Sequence, residues 1–286
     1  MMPLRRFTLH QPQSVGEAAE MLAHYGAKAH LYAGGTELLL AMKHGLLRYE
    51  HLVDIKTVPN LTKIGLKNSH LSIGALTTHR EVEKSQLVRE KLPVLAEMET
   101  QVANVRVRAT GTIGGNLGFA EPHSDPANLL LCLGATARVQ SRKGERTVPM
   151  DELIVDAYET CLAADEVLTS IEIPLPDQSQ RSVYLKFQIH ERPTLGLAIV
   201  LNLDDSGGNV TKARAVVGCI SLKPCRSEKA EALLVGARER VEKQLPEAAQ
   251  LLADIADPSD DLEGSAEYKR HLVGVFLRRA FAKALA

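Results

Sequence analysis

Short apolar runs alternate with helix-spaced segments over the opening of the chain. Phe7-Thr8-Leu9, residues 29–33 and His51-Leu52-Val53-Asp54-Ile55 are brief, apolar and bounded by turn residues, which is the pattern of strands. Between them, Ser14-Val15-Gly16-Glu17 reads as a capping box opening a helix that Gly26 closes. A second helical run, residues 37–44, is closed by Gly45. The order β-α-β-α-β predicts a small parallel sheet. From Leu61 the texture changes: Lys67-Asn68-Ser69 separates two apolar runs as a hairpin turn, and Thr78-His79-Arg80-Glu81 reads as a second capping box. Helical spacing then runs over residues 93–105. A second hairpin is expected from residues 135–141 and 145–148 around Arg142-Lys143-Gly144, and residues 167–173 form a strand that closes the second sheet.

Pro174 to Gln180, with two prolines and a polar run, is the best linker in the chain. Beyond it, residues 182–188, 195–203 and 210–217 are strand candidates, the last two joined by the turn Asp204-Asp205-Ser206-Gly207-Gly208-Asn209. Residues 227–235, 241–253 and 268–284 repeat apolar positions at helical intervals. The expected fold is α+β. Residues 1–176 hold a small parallel sheet and a larger mixed or antiparallel one, and residues 177–286 hold a three-stranded antiparallel sheet with helices.

Composition narrows the chemistry. The 286 residues carry a formal net charge of −1 with both signs interspersed, so neither a nucleic-acid face nor a polybasic membrane segment is indicated. No apolar stretch approaches the roughly twenty residues of a membrane span, and the two arginines near the start precede no apolar leader core. The chain is read as soluble and cytoplasmic. Cys132, Cys161, Cys219 and Cys225 show no C-x-x-C spacing and are read as buried thiols. If the chain moves electrons, its own redox group is therefore not a cluster, and a flavin is the remaining candidate. The histidines are dispersed; His123 lies within reach of a functional loop, and no metal site is expected there.

Two glycine pairs carry the candidate site. Residues 109–134 contain Thr112-Ile113-Gly114-Gly115-Asn116, where missing Cβ atoms would allow positive φ and the approach of a diphosphate to backbone N–H groups, flanked by two hydrogen-bonding side chains. Asp125-Pro126 reads as an N-cap with proline at the first helical position, ended by Gly134; the carboxylate either caps only or also faces ligand hydroxyls. Upstream, Leu31-Tyr32-Ala33-Gly34-Gly35-Thr36-Glu37-Leu38 repeats the order of apolar strand, paired glycines, hydroxyl residue and helix. One such turn alone is commonly plain connection; two could grip one diphosphate. Neither G-x-G-x-x-G after a strand nor G-x-x-x-x-G-K-[ST] is present, which argues against Rossmann and P-loop sites. Arg106 and Arg108, just ahead of the second pair, are read as solvated or paired with carboxylates.

The stretches AGGTELL and TIGGNLGFAEPHSD, with HLVDI, LSIGALTTH, EVLTSIEIP and YLKF in order, resemble the FAD-binding medium subunit of the molybdenum hydroxylases. That family includes the medium subunit of carbon monoxide dehydrogenase and the flavin domain of xanthine dehydrogenase. The resemblance implies a two-subdomain PCMH-type FAD-binding domain followed by a carbon monoxide dehydrogenase flavoprotein-like C-terminal domain, with noncovalent FAD between subdomains. It places Leu31 to Leu38 in the first dinucleotide loop and Thr112 to Asn116 in the second. Asp125 matches an acidic flavin contact, Ala103 and Leu168 apolar contacts, and Lys186 a lysine near the flavin ring. Family members usually continue with an R-x-x-D-like segment, whereas this chain has Gln188-Ile189-His190-Glu191-Arg192-Pro193-Thr194, leaving open which side chain shields the ring. The cysteine-bearing insertion of some hydroxybenzoyl-CoA reductase medium subunits is missing. The implied role is an electron relay: molybdopterin on a large subunit, [2Fe-2S] clusters on a small subunit, and FAD here passing electrons to an external acceptor. No catalytic acid–base group is assigned. Two other readings are a stand-alone flavin oxidase of the vanillyl-alcohol oxidase type, which the low aromatic content disfavours, and a non-redox nucleotide-binding protein.

Overall fold

The computed structural model describes residues 4–190 and 192–286; Met1–Pro3 and Glu191 lie outside the described residues. The first sheet contains β1 (Thr8–His10), β2 (Ala29–Tyr32) and β3 (His51–Asp54), all parallel, in the order β1-β3-β2. The helix Val15–Tyr25 crosses from β1 to β2 and buries Ala18 and Leu22 against Val53 and Ile55. Ser14 caps it by accepting from the Glu17 N–H at 3.1 Å. The Glu17 carboxylate reaches back to the N–H of Gln13 at 2.7 Å and not to that of Ser14, so the expected reciprocal box is offset by one residue.

The second sheet is antiparallel throughout. It contains β4 (Ile64–Lys67), β5 (His70–Gly74), β6 (Thr136–Ser141), β7 (Gly144–Pro149) and, after a small hairpin of β8 (Ile154–Asp156) and β9 (Glu159–Thr160), β10 (Val167–Pro174). The order β4-β5-β10-β6-β7 puts the last strand in the middle. A buried apolar strand is best covered by neighbours on both sides, and Ile171 and Ile173 are fully buried there. At Thr78–Glu81 the box is complete: the Glu81 N–H donates to Thr78 Oγ1 and the Thr78 N–H to Glu81 Oε2. The helical run expected over residues 93–105 is two helices, Pro93–Glu99 and Val105–Thr110. Asn104 breaks it, because its Oδ1 accepts from the N–H groups of Arg106 and Val107 at 3.0 and 3.2 Å, while Ala103 takes a left-handed φ of 42°.

In the C-terminal part, β11 (Gln180–Phe187), β12 (Leu195–Leu203) and β13 (Asn209–Gly218) form the antiparallel sheet, and two two-residue strands, β14 (Cys225–Arg226) and β15 (Gly236–Ala237), extend it along β13. The turn before β13 is locked by Asp204, whose Oδ1 accepts from the N–H groups of Gly208 and Asn209. Hydrogen bonds from Asn209 and Ser206 hold its carboxyl down at about 2. The helices Arg238–Ala256 and Ala266–Ala284 cover one face, where Leu197, Ile199 and Leu201 meet Leu252, Val273 and Leu277. The opposite face of β12, Ala198 and Val200, joins the core of the preceding sheet. Covered on both sides, β12 reads as the unbroken apolar run Leu-Gly-Leu-Ala-Ile-Val-Leu. Of the four cysteines, Cys132 and Cys219 are buried; Cys161 and Cys225 are only half-buried. Among the described residues no helix is long and apolar enough to cross a membrane.

Candidate cofactor-binding site

A cavity of about 610 Å³ opens at the carboxyl end of β2 and is walled by both glycine segments, the start of the helix Asp125–Cys132 and the end of β11. The backbone of the first segment leaves donors free. Gly35 has φ 75°, where an L-residue is strained, and the backbone N–H groups of Gly34, Gly35, Thr36 and Glu37 make no hydrogen bond among the described residues. Successive unpaired N–H groups at the carboxyl edge of a parallel sheet form a concavity for negative charge. Gly34 is glycine for a different reason: a Cβ there would lie 2.2 Å from the carbonyl oxygen of Thr110, so this is where the two segments touch.

The second segment does not form the positive-φ turn expected of it. Thr112 is an N-cap, its Oγ1 accepting from the N–H of Gly115 at 3.0 Å, and both glycines lie in the first turn of the helix Ile113–Phe119. The Gly114 N–H donates to the carbonyl of Ala75 at 2.8 Å, and a Cβ on Gly114 would stand 2.6 Å from Ala75 Cβ. Gly114 therefore lets the helix lie against the end of β5. Gly114→Ala should destabilise even the cofactor-free protein by about 1–3 kcal/mol in urea unfolding, the range for overpacking. An unchanged midpoint would return Gly114 to a purely ligand-facing role.

Asp125 is likewise not the N-cap. That position belongs to Ser124, whose Oγ donates to Asn116 Oδ1 at 2.6 Å, and Asp125 is the first helical residue. Its carboxylate accepts from Tyr184 Oη at 2.6 Å and from Lys186 Nζ at 2.8 Å, with both charged side chains 4% exposed. Lys186 also donates to the Gln101 carbonyl at 2.7 Å. Lys186 thus ties β11 to the start of the helix Asp125–Cys132 and to the turn after Glu99. Burial pushes the Asp125 carboxyl up from its ordinary value, opposed by the charge and hydrogen bond of Lys186. Burial and the neighbouring carboxylate push the Tyr184 hydroxyl well up.

Of the residues singled out in the sequence, Leu31, Ala33, Gly34, Gly35, Thr36, Glu37, Leu38, Ala103, Thr112, Gly114, Gly115, Asn116, Asp125, Leu168 and Lys186 line the cavity. Tyr32 and Ile113 do not. The Tyr32 ring carries Lys56 Nζ 3.6 Å above its centre, and Ile113 is fully buried in the core. Arg108 pairs with Glu83 at 3.0 Å, as a cation with carboxylates nearby should. Sequence reading missed Glu121 and left the segment around Arg192 open. The Glu121 carboxylate accepts from the His123 N–H at 2.9 Å and from the guanidinium of Arg192, which stands at the cavity wall. Burial pushes the nearby Glu37 carboxyl up, and Arg192 pulls it back. The adjacency of Glu121 and Arg192 spans 71 positions and left no local signal.

With this geometry in hand, the comparisons with known proteins converge. A model of the FAD binding domain in molybdopterin dehydrogenase matches residues 5–176, and one of the CO dehydrogenase flavoprotein C-terminal domain matches residues 186–284. The chain belongs to the FAD-binding medium subunits of the molybdenum hydroxylase family. Among medium subunits, the carbon monoxide dehydrogenase medium chain of Hydrogenophaga pseudoflava is 34% identical over 283 residues, covering 98% of each chain. Caffeine dehydrogenase subunit beta of Pseudomonas sp. (strain CBB1) is 29% identical over 287 residues, covering 97% of this chain and 94% of that one. The structure of carbon monoxide dehydrogenase from Hydrogenophaga pseudoflava superposes with a TM-score of 0.93 at 35% identity, covering 99% of this chain and 98% of that one. Quinoline 2-oxidoreductase from Pseudomonas putida 86 gives 0.91 at 29% identity, with the same coverages of 99% and 98%. FAD is the cofactor of this medium-subunit family, and the cavity fits it: the free N–H groups of Gly34 to Glu37 offer donors to a diphosphate, and apolar Leu31, Ala103 and Leu168 offer surface to rings.

Proposed function

We propose that this chain holds one FAD noncovalently in the cavity and acts as the electron-transfer subunit of a molybdenum hydroxylase. Its partners are a small subunit with [2Fe-2S] clusters and a large subunit with the molybdenum cofactor, and an external acceptor receives the electrons. Bound FAD supplies the exchange between one-electron carriers and a two-electron acceptor. The chain's own residues bind and orient. Gly34 to Glu37 present N–H donors, Thr112 and Asn116 hold the second wall, and Asp125 with Lys186 pins the C-terminal sheet to the first domain. The limits of the two domains are taken as 1–176 and 177–286, and the assembly as cytoplasmic. The observation that carries this reading is the single cavity wall shared by both glycine segments, Asp125 and Lys186.

The test is anaerobic. The isolated, flavin-loaded chain, mixed with purine, aldehyde, aromatic-CoA or carbon monoxide substrates, should keep its flavin absorption, and the same flavin should bleach once the iron–sulfur and molybdenum subunits are added. Rapid bleaching by the chain alone would overturn the relay and favour a stand-alone oxidase.

A further inference from the structure

His79 and Glu99 form a buried pair beneath the point where the two glycine segments meet. His79 opens the helix His79–Lys84 directly after its Thr78 cap, and Glu99 ends the helix Pro93–Glu99. Their side chains are 3% and 0% exposed, with His79 Nδ1 2.8 Å from Glu99 Oε2. The other Glu99 oxygen has no partner among the described residues. The His79 N–H donates to the Gly111 carbonyl at 3.1 Å. A Cβ built on Gly111 would lie 3.3 Å from His79 Cδ2 and 3.4 Å from Thr36 Oγ1, so the imidazole stands beside both segments. It lines the cavity, and its Nε2 makes no hydrogen bond among the described residues.

We propose that His79, held by Glu99, is a positioning residue for the diphosphate, its Nε2–H donating to a phosphate oxygen opposite the free N–H groups of Gly34 to Glu37. This rests on the cavity being the FAD site. The physical reason lies in what Glu99 requires. A carboxylate out of water with one partner is costly unless that partner supplies a hydrogen and a compensating charge. Nδ1 therefore carries a hydrogen toward Glu99, and with Nδ1 on Glu99 the ring's other nitrogen is left for the cavity that His79 lines. With the diphosphate in place the ring donates from both nitrogens, to Glu99 beneath it and to the phosphate oxygen in front. Local sequence hides this role, since Thr78-His79-Arg80-Glu81 reads only as a helix start.

The experiment compares two flavins, FAD and riboflavin, which lacks phosphate, titrated into flavin-stripped protein by fluorescence quenching. His79→Asn keeps an amide near the Nδ1 position for Glu99 and removes the cavity-facing donor. It should weaken FAD about tenfold to hundredfold, the range for a hydrogen bond to a charged group, and leave riboflavin affinity within about twofold. Glu99→Gln should weaken FAD in the same selective way. Should His79→Asn fail to fold, Glu99→Gln carries the comparison alone. FAD affinity unchanged in the variants, or an equal loss for both flavins, overturns the proposal. A wild-type protein that takes up no FAD overturns the cofactor reading itself, and that failure is visible before any variant is made.

Discussion

Replacing Gly35 with valine should yield a protein that loses its FAD on desalting. Two costs combine at this position. The φ of 75° lies where a β-branched L-residue is disfavoured, by about 1–2 kcal/mol or more. A Cβ would also stand 2.4 Å from Tyr32 Cε2 and 3.2 Å from Leu39 Cδ1, so the Tyr32 ring or the loop must shift. Strain at this φ re-aims the N–H groups of Gly34 to Glu37, and an anion site depends on their convergence. Gly45 is the matched control: its φ is 76°, yet nothing lies within 4 Å of its missing Cβ. Gly45→Ala should cost stability through strain alone and retain flavin. The measurement is the ratio of flavin to protein absorbance after desalting, and full occupancy in the Gly35 variant would count against this loop as the diphosphate site.

Lys186→Met should be the most destabilising single change near the cavity. It leaves the Asp125 carboxylate buried with only the Tyr184 hydroxyl as partner, and it strips the Gln101 carbonyl of its donor. Removing one member of a buried pair costs about 3–5 kcal/mol, because the remaining charge cannot reach water. Asp125→Asn combined with Lys186→Met should recover much of the loss, since the neutral amide still accepts from Tyr184 and no unpaired charge remains. Urea unfolding of the flavin-free proteins measures both. A single variant within about 0.5 kcal/mol of wild type would show the pair to be solvated and dispensable. Asp125 is not the N-cap read from Asp125-Pro126, because Ser124 occupies that position.

Much of the fold follows from short-range physical chemistry, and those parts were legible. The capping box at Thr78–Glu81, the hairpin turn at Asn68 and the Asp204 turn each depend on residues within a few positions of one another, and the parallel sense of the first three strands follows from the helical segments between them. Fifteen of the seventeen candidate residues line one cavity, but for reasons that local pattern could not separate. Gly34 and Gly114 look alike in sequence; one spares room for Thr110 and the other for Ala75. Tyr32 and Ile113 lie inside the motifs, yet a strand or helix turns alternate side chains away, and these two face a cation and the core.

What the sequence by itself determined is the fold class, most of the longer elements and the location of the two glycine segments, because propensity, capping and turn chemistry act locally. The middle place of β10, the pairing of Asp125 with Lys186 across 61 positions, the contact of Glu121 with Arg192, and the burial of Glu99 under His79 were decided only when the sheets packed. Each is a contact between residues distant in the chain, favoured because packing brings the partners together and leaves each as the other's available hydrogen-bond partner.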